Sequence, residues 1–292
     1  MSCCQRFCSE FKNPMFSLDE APSKQPRRLD MNASFHIGRG ILSWVGVLKL
    51  LTFCTSIAVL VYAYYMHPVP SFYPAFLTHW GVVFCICYLT SSFFLTAFGF
   101  ADNSNREQAT RLVKFTWFIY SVAAVLGCCI AGLYWGAVYT PSRGVDLNNV
   151  MTHGGLLSIV LLQGLLVDRV PLRIKHNIVG TAVIALIYQG WLALHNLVIK
   201  YNPMQDDDDD ALYDAVKWRE NTTGAIILTL VVLFGAIPFF TMLLWGLSLP
   251  GRRYLDDKEV VLDDSSQVEQ EDEEAPSEKA PAEEDAGEDE MP

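Results

Sequence analysis

Apolar residues in this chain collect into six long blocks instead of alternating with polar ones. The blocks run over about 44–66, 74–100, 115–139, 150–168, 177–199 and 223–248. Each is long enough, as a helix rising 1.5 Å per residue, to cross a hydrocarbon core of ~30 Å. Helices satisfy their backbone groups within the segment, as lipid requires, and the blocks lack the ten-residue alternation of a barrel strand. The pattern predicts an all-α polytopic membrane protein, a bundle of six transmembrane helices. Lys49 interrupts the first block, and the sequence predicts that its ammonium snorkels to the near interface. Pro238 predicts a kink in the sixth helix.

Basic residues orient the bundle. Fourteen Lys/Arg lie in the N-terminal segment, between blocks 2 and 3, between blocks 4 and 5, and just after block 6, against four in the alternate loops. Both termini are therefore expected in the cytosol, with the chain integral to the plasma membrane or the endoplasmic reticulum. The expected organisation is a cytosolic segment 1–43, a membrane domain 44–248 and a disordered acidic cytosolic tail 249–292.

Composition sharpens this. Of 292 residues, 51% are hydrophobic and 18% charged, fewer charges than the ~25% of soluble domains. Residues 254–292 hold 17 acids and 2 lysines, whereas residues 1–253 carry a net charge of +4. The overall −11 thus belongs to the tail, whose Glu/Asp/Ala/Pro composition cannot bury enough apolar surface to fold. A soluble enzyme, a nucleic-acid binder and a secreted disulfide scaffold are excluded. Cys54, Cys85, Cys87, Cys128 and Cys129 lie within the apolar blocks as small hydrophobes. Cys3, Cys4 and Cys8 cluster at the N-terminus and are lipidation candidates. No apolar leader is visible in the first 40 residues, so the first membrane helix is expected to act as its own signal. The sequon at Asn221 abuts the sixth helix and is expected to stay unused. The outer acidic run Asp206–Asp210 lacks the spaced ligands and glycine of a calcium loop.

Polar residues within membrane helices are the default functional candidates. Counting from the block ends places Thr78, His79, Trp80, Asn149, His153, His195 and Asn196 at one depth, near the outer boundary. The pair Thr78 and His153 is the candidate catalytic site. Asn149 lies one turn before His153 and is a candidate orienter of the imidazole; His79 and His195 are further orienting or oxyanion candidates. A threonine hydroxyl becomes a nucleophile when a neutral histidine takes its proton. Free N–H groups at the start of helix 2 are candidate oxyanion donors. A zinc site built from His79, His153 and His195 lacks an Asp at that depth, a haem site lacks a paired inner histidine, and a transporter reading lacks a charged midplane residue. No cofactor or metal is expected.

Several short motifs carry a resemblance: Leu77-Thr78-x-Trp80-Gly81, Asn149-x-x-x-His153, Val167-Asp168-Arg169-Val170-Pro171-Leu172-Arg173 with His176, Tyr188 to His195, and Tyr213-Asp214-Ala215-Val216-Lys217-Trp218. On these, residues 75–248 resemble the androgen-induced family of multi-pass membrane hydrolases and, more closely, their rolling stone-like relatives. The first resemblance implies hydrolysis of long-chain fatty-acid esters, with Thr78 as nucleophile and His153 as base. The second implies a role in membrane fusion, adhesion or scaffolding. His79 departs from both patterns, which have an aromatic residue or an Asn there. Expected partners are membrane lipids, a lipid-ester substrate under the first implication, and a cytosolic protein for the acidic tail.

Overall fold

A computed structural model describes residues 35–99, 111–139, 144–204, 211–213 and 216–249. The lipidation candidates Cys3, Cys4 and Cys8, the acidic run 206–210 and the tail beyond 249 lie outside the described residues. All regular structure among the described residues is helical, in six spans long and apolar enough to cross a membrane. This is a multi-pass membrane protein.

Helix α1 covers Trp44–Met66 and starts at Ser43, whose hydroxyl accepts from the Gly46 N–H at 3.0 Å. A 3-10 turn over Pro70–Ala75 precedes α2, Leu77–Phe98, so helix 2 begins three residues later than the apolar block. Pro74 belongs to that turn because proline donates no N–H to a ladder. Helix α2 ends at Gly99, in the left-handed region at φ 59°. Helix α3, Arg111–Leu133, continues into a π-turn at Tyr134–Val138. Helix α4 runs from Leu147, capped by Asp146, to Val167, with π-turns at Met151–Gly155 and Gln163–Val167. Helix α5 covers Ile174–Leu194 and closes with a π-turn at His195–Ile199. Helix α6 spans Thr222–Leu249, and its π-turn Val232–Ala236 directly precedes the expected kink position Pro238. Asn221 caps α6, its Oδ1 accepting from the Gly224 N–H at 2.9 Å.

Helices α2 and α3 form the centre of the bundle and are the most buried of the six spans. The outward faces of the other four are apolar, as lipid solvation requires. Close approach depends on small residues. A Cβ on Gly127 would lie 2.7 Å from Leu157, one on Gly180 2.8 Å from Phe118, and one on Gly164 would enter the Tyr120 ring. Packing, not hydrophobicity, selects these contacts, since lipid tails offer the same apolar surroundings.

Lys49 does not snorkel. Its side chain is fully buried, pairing with Asp168 Oδ1 at 2.5 Å and donating to the Phe35 carbonyl at 3.0 Å and Thr96 Oγ1 at 2.9 Å. Asp168, also fully buried, accepts on Oδ2 from Tyr88 at 2.6 Å and Ser92 at 2.7 Å. Gln163 extends the network, donating to Ser92 Oγ at 3.2 Å and accepting from Thr52 at 2.6 Å. An isolated buried ammonium would be costly, so a stable position demands a carboxylate partner, and Asp168 at the end of α4 provides it. The network ties α1, α2 and α4 together at one rim. The turn at residues 35–40 docks there, with Gly38 and Gly40 N–H groups on the Leu95 and Thr96 carbonyls at 3.1 and 3.0 Å.

Candidate functional site

The opposite rim gathers the start of α2, the end of α3 and the start of α4. Thr78, the second residue of α2, places its Oγ1 3.2 Å from His153 Nε2 on α4. His153 sits in the middle of a π-turn, a one-residue widening that re-aims side chains and recurs at functional sites. Its Nδ1 lies 3.0 Å from the Asn149 carbonyl and 3.0 Å from Thr152 Oγ1. Thr152 donates its own proton to the Asn148 carbonyl at 2.7 Å. Both neighbours of Nδ1 are therefore acceptors, which places the proton of a neutral ring on Nδ1 and leaves the Nε2 lone pair facing the Thr78 hydroxyl. That is the tautomer a general base needs. Tyr134 stacks on the imidazole with centroids 3.4 Å apart, and Trp135 Nε1 donates to the His153 carbonyl at 3.2 Å.

The remaining sequence candidates are distributed differently. Asn149 orients His153 through its backbone carbonyl, not through the side-chain amide expected from the sequence. His79, about 100° around α2 from Thr78, stacks on Tyr73 and bonds the Tyr73 carbonyl. Trp80 donates to the Pro74 carbonyl at 2.8 Å. His195 packs its ring against Phe72 and Trp191. Asn196 accepts from the Arg219 N–H at 2.7 Å and so holds the loop before α6. None of these places a side chain on the Thr78–His153 contact. Two of the expected oxyanion donors at the start of α2 are engaged: the Leu77 N–H bonds Tyr213 Oη, and the His79 N–H bonds the Phe76 carbonyl, both at 3.1 Å. Among the described residues no cluster of three His, Cys, Asp or Glu is arranged to hold a metal.

Sequence reasoning missed two neighbours. Tyr213, from the loop before α6, accepts from the Leu77 N–H at 3.1 Å and lines one cavity with Thr78 and Tyr188, and burial pushes its phenol above the ordinary range. Its place in the Tyr213–Trp218 motif was the available signal. Gln189, the one amide in the apolar run of α5 from Ile178 to Leu194, lines a cavity of about 120 Å³ that also touches Thr78, Tyr188 and Tyr213. A much smaller gap, about 10 Å³, borders Thr78 and His153 on the side of Gly81, Gly127 and Leu157.

Part of the chain is similar to a known protein. Over 186 residues the chain is 26% identical to the protein rolling stone of Drosophila melanogaster. The chain is a distant relative of rolling stone. The match covers 59% of this chain and spans 65% of the length of that relative. No protein-family model matches the chain, and no solved structure does.

Proposed function

We propose that the chain is a rolling stone-type membrane protein acting in membrane fusion, adhesion or scaffolding, with the Thr78–His153 contact as an interhelical clasp. The observation that carries this reading is the space at the pair. The space lined by both residues, about 10 Å³, holds at most one water and admits no ester group there. The engaged N–H groups of Leu77 and His79 and the similarity to rolling stone favour the same reading. A hydrogen bond between α2 and α4 is a common adhesive in membrane bundles, worth ~0.6 kcal/mol on average. In this reading both termini face the cytosol, following the bias of basic residues, and the acidic run at 206–210 faces the neighbouring cell from the plasma membrane.

A second reading has an observation of its own. Thr78 and His153 stand at 3.2 Å with the ring in the base tautomer, and the 120 Å³ apolar cavity borders Thr78. A hydrolase of long-chain fatty-acid esters would use Thr78 Oγ1 as nucleophile, His153 Nε2 as its base and the Asn149 carbonyl as the orienting group. The ester carbonyl would approach along the leaflet, after opening of the gap at the pair.

One experiment separates them. Membranes carrying wild type, Thr78→Ala or His153→Ala are treated with a fluorophosphonate probe and with long-chain esters, while cells expressing the same chains are scored for aggregation and fusion. Equal labelling and turnover in all three chains, with aggregation or fusion raised over control cells and reduced by deleting residues 206–210, is the expected result. Labelling and turnover lost in both variants, with no effect of any chain on aggregation or fusion, overturns the first reading in favour of the second.

A further inference from the structure

The cavity beside Thr78 carries an unused polar group. Its wall is apolar apart from Thr78, Tyr134, Tyr188, Gln189 and Tyr213. Four of these are engaged within the protein. Thr78 contacts His153 at 3.2 Å, Tyr134 stacks on the His153 ring, Tyr188 donates to the Ala75 carbonyl at 2.9 Å, and Tyr213 accepts from the Leu77 N–H at 3.1 Å. Gln189 differs: its Oε1 is buried and has no hydrogen-bond partner among the described residues. A buried amide oxygen left without a donor is destabilising, and this one sits on the wall of a space large enough for several waters or a stretch of hydrocarbon chain. The rest of the wall, Leu133, Leu192, Leu228 and Val232 among it, offers water no hydrogen bonds.

We propose that this cavity is a binding site for a single-chain amphiphile with a hydrogen-bond-donating head, a long-chain alcohol, whose hydroxyl donates to Gln189 Oε1. The chain lies against Leu133, Leu192 and Leu228, and the hydroxyl satisfies the orphan acceptor. Polarity and width set the ligand class. The unpartnered amide oxygen calls for a donor, and a hydrocarbon chain matches the leucines. The site rests on neither reading of the Thr78–His153 pair, because the acceptor lies on α5 and binding requires no turnover.

The test uses the full chain purified in detergent and three photoreactive C16 probes, each with a mid-chain diazirine: an alcohol, its methyl ether, which only accepts, and the parent alkane. The alcohol is expected to label peptides containing Leu133, Leu192 or Leu228, with unlabelled alcohol competing. Gln189→Leu should lower its labelling about tenfold, to the level of the ether and alkane, while Gln189→Glu retains it. Leu192→Trp, which fills the cavity, should abolish specific labelling. Each variant is first checked for wild-type elution and melting temperature. Labelling equal for all three probes, labelling confined to outward-facing residues such as Phe234 and Phe239, or labelling unchanged in Gln189→Leu would overturn the proposal.

Discussion

Replacing Asp168 by Asn tests whether the buried pair with Lys49 holds the bundle together. Both side chains are fully buried, so solvent does not dilute the interaction. The substitution keeps an oxygen for Tyr88 and Ser92, which donate at 2.6 and 2.7 Å in the wild type. It removes the only carboxylate paired with Lys49 among the described residues. The ammonium is then left with the Phe35 carbonyl and Thr96 Oγ1, two neutral acceptors. Removing one partner of a buried ion pair costs ~3–5 kcal/mol, because the other charge stays behind. At ~2–4 °C per kcal/mol for a chain of this size, the expected loss is about 6–20 °C in melting temperature. Lys49→Met alone should also destabilise, leaving a carboxylate with two hydroxyl donors. The double variant Lys49→Met/Asp168→Asn strands no charge. Its Asn still accepts from Tyr88 and Ser92, and Thr96 still donates to the Phe35 carbonyl at 2.8 Å, so it should be more stable than either single variant. The assay is thermal unfolding of the purified full chain, followed by tryptophan fluorescence through the buried Trp117 and Trp245. A double variant whose loss equals the sum of the two single losses would refute the argument, as would an Asp168→Asn chain within about 1 °C of wild type, given the expected cost of a stranded charge.

Three further outcomes follow from the same geometry. Gly164→Ala puts a Cβ into the Tyr120 ring and should cost about 1–3 kcal/mol or more, with partial recovery in Gly164→Ala/Tyr120→Leu, both read as melting temperatures. His36, outside the spans, has its pKa lowered below 6.5 by burial, partly offset by the Val167 carbonyl 3.0 Å from Nε2, so the unfolded chain takes up a proton at higher pH than the folded one. Its contribution is therefore complete above about pH 6.5 and falls as pH drops through the lowered value; His36→Asn, which suits the φ of 52°, should flatten the melting profile between pH 7.5 and 5 relative to wild type. If Thr78 is a nucleophile, Thr78→Ser should keep fluorophosphonate labelling and Thr78→Val lose it; if the pair is only a clasp, the three chains should label alike.

Depth is legible in the sequence because a membrane supplies its own ruler. The apolar blocks end where the lipid ends, so counting from those ends places Thr78 and His153 in one layer, and their side chains do meet there. Direction around each helix is not legible. Thr78 and His79 differ by one residue, yet one faces α4 and the other stacks on Tyr73, a choice set by the 3-10 turn that feeds α2 at a particular angle. The π-turn around His153 widens the helix by one residue and re-aims the ring, and no residue pattern in Met151–Gly155 announces it. Lys49 departs from expectation for a related reason. Counting places it near a rim, but snorkelling is the answer for a lysine that faces lipid, and this one faces Asp168. What the residue count lacks is a pairing rule: a lone cation inside one apolar block and a lone acid at the end of another are both costly alone, and each becomes tolerable only when the fold brings them together. Applied to the residues alone, that rule joins α1 to α4. The same logic marks Gln189, a lone amide in an apolar run whose oxygen finds no donor among the described residues, whereas Lys49 finds its partner within the fold.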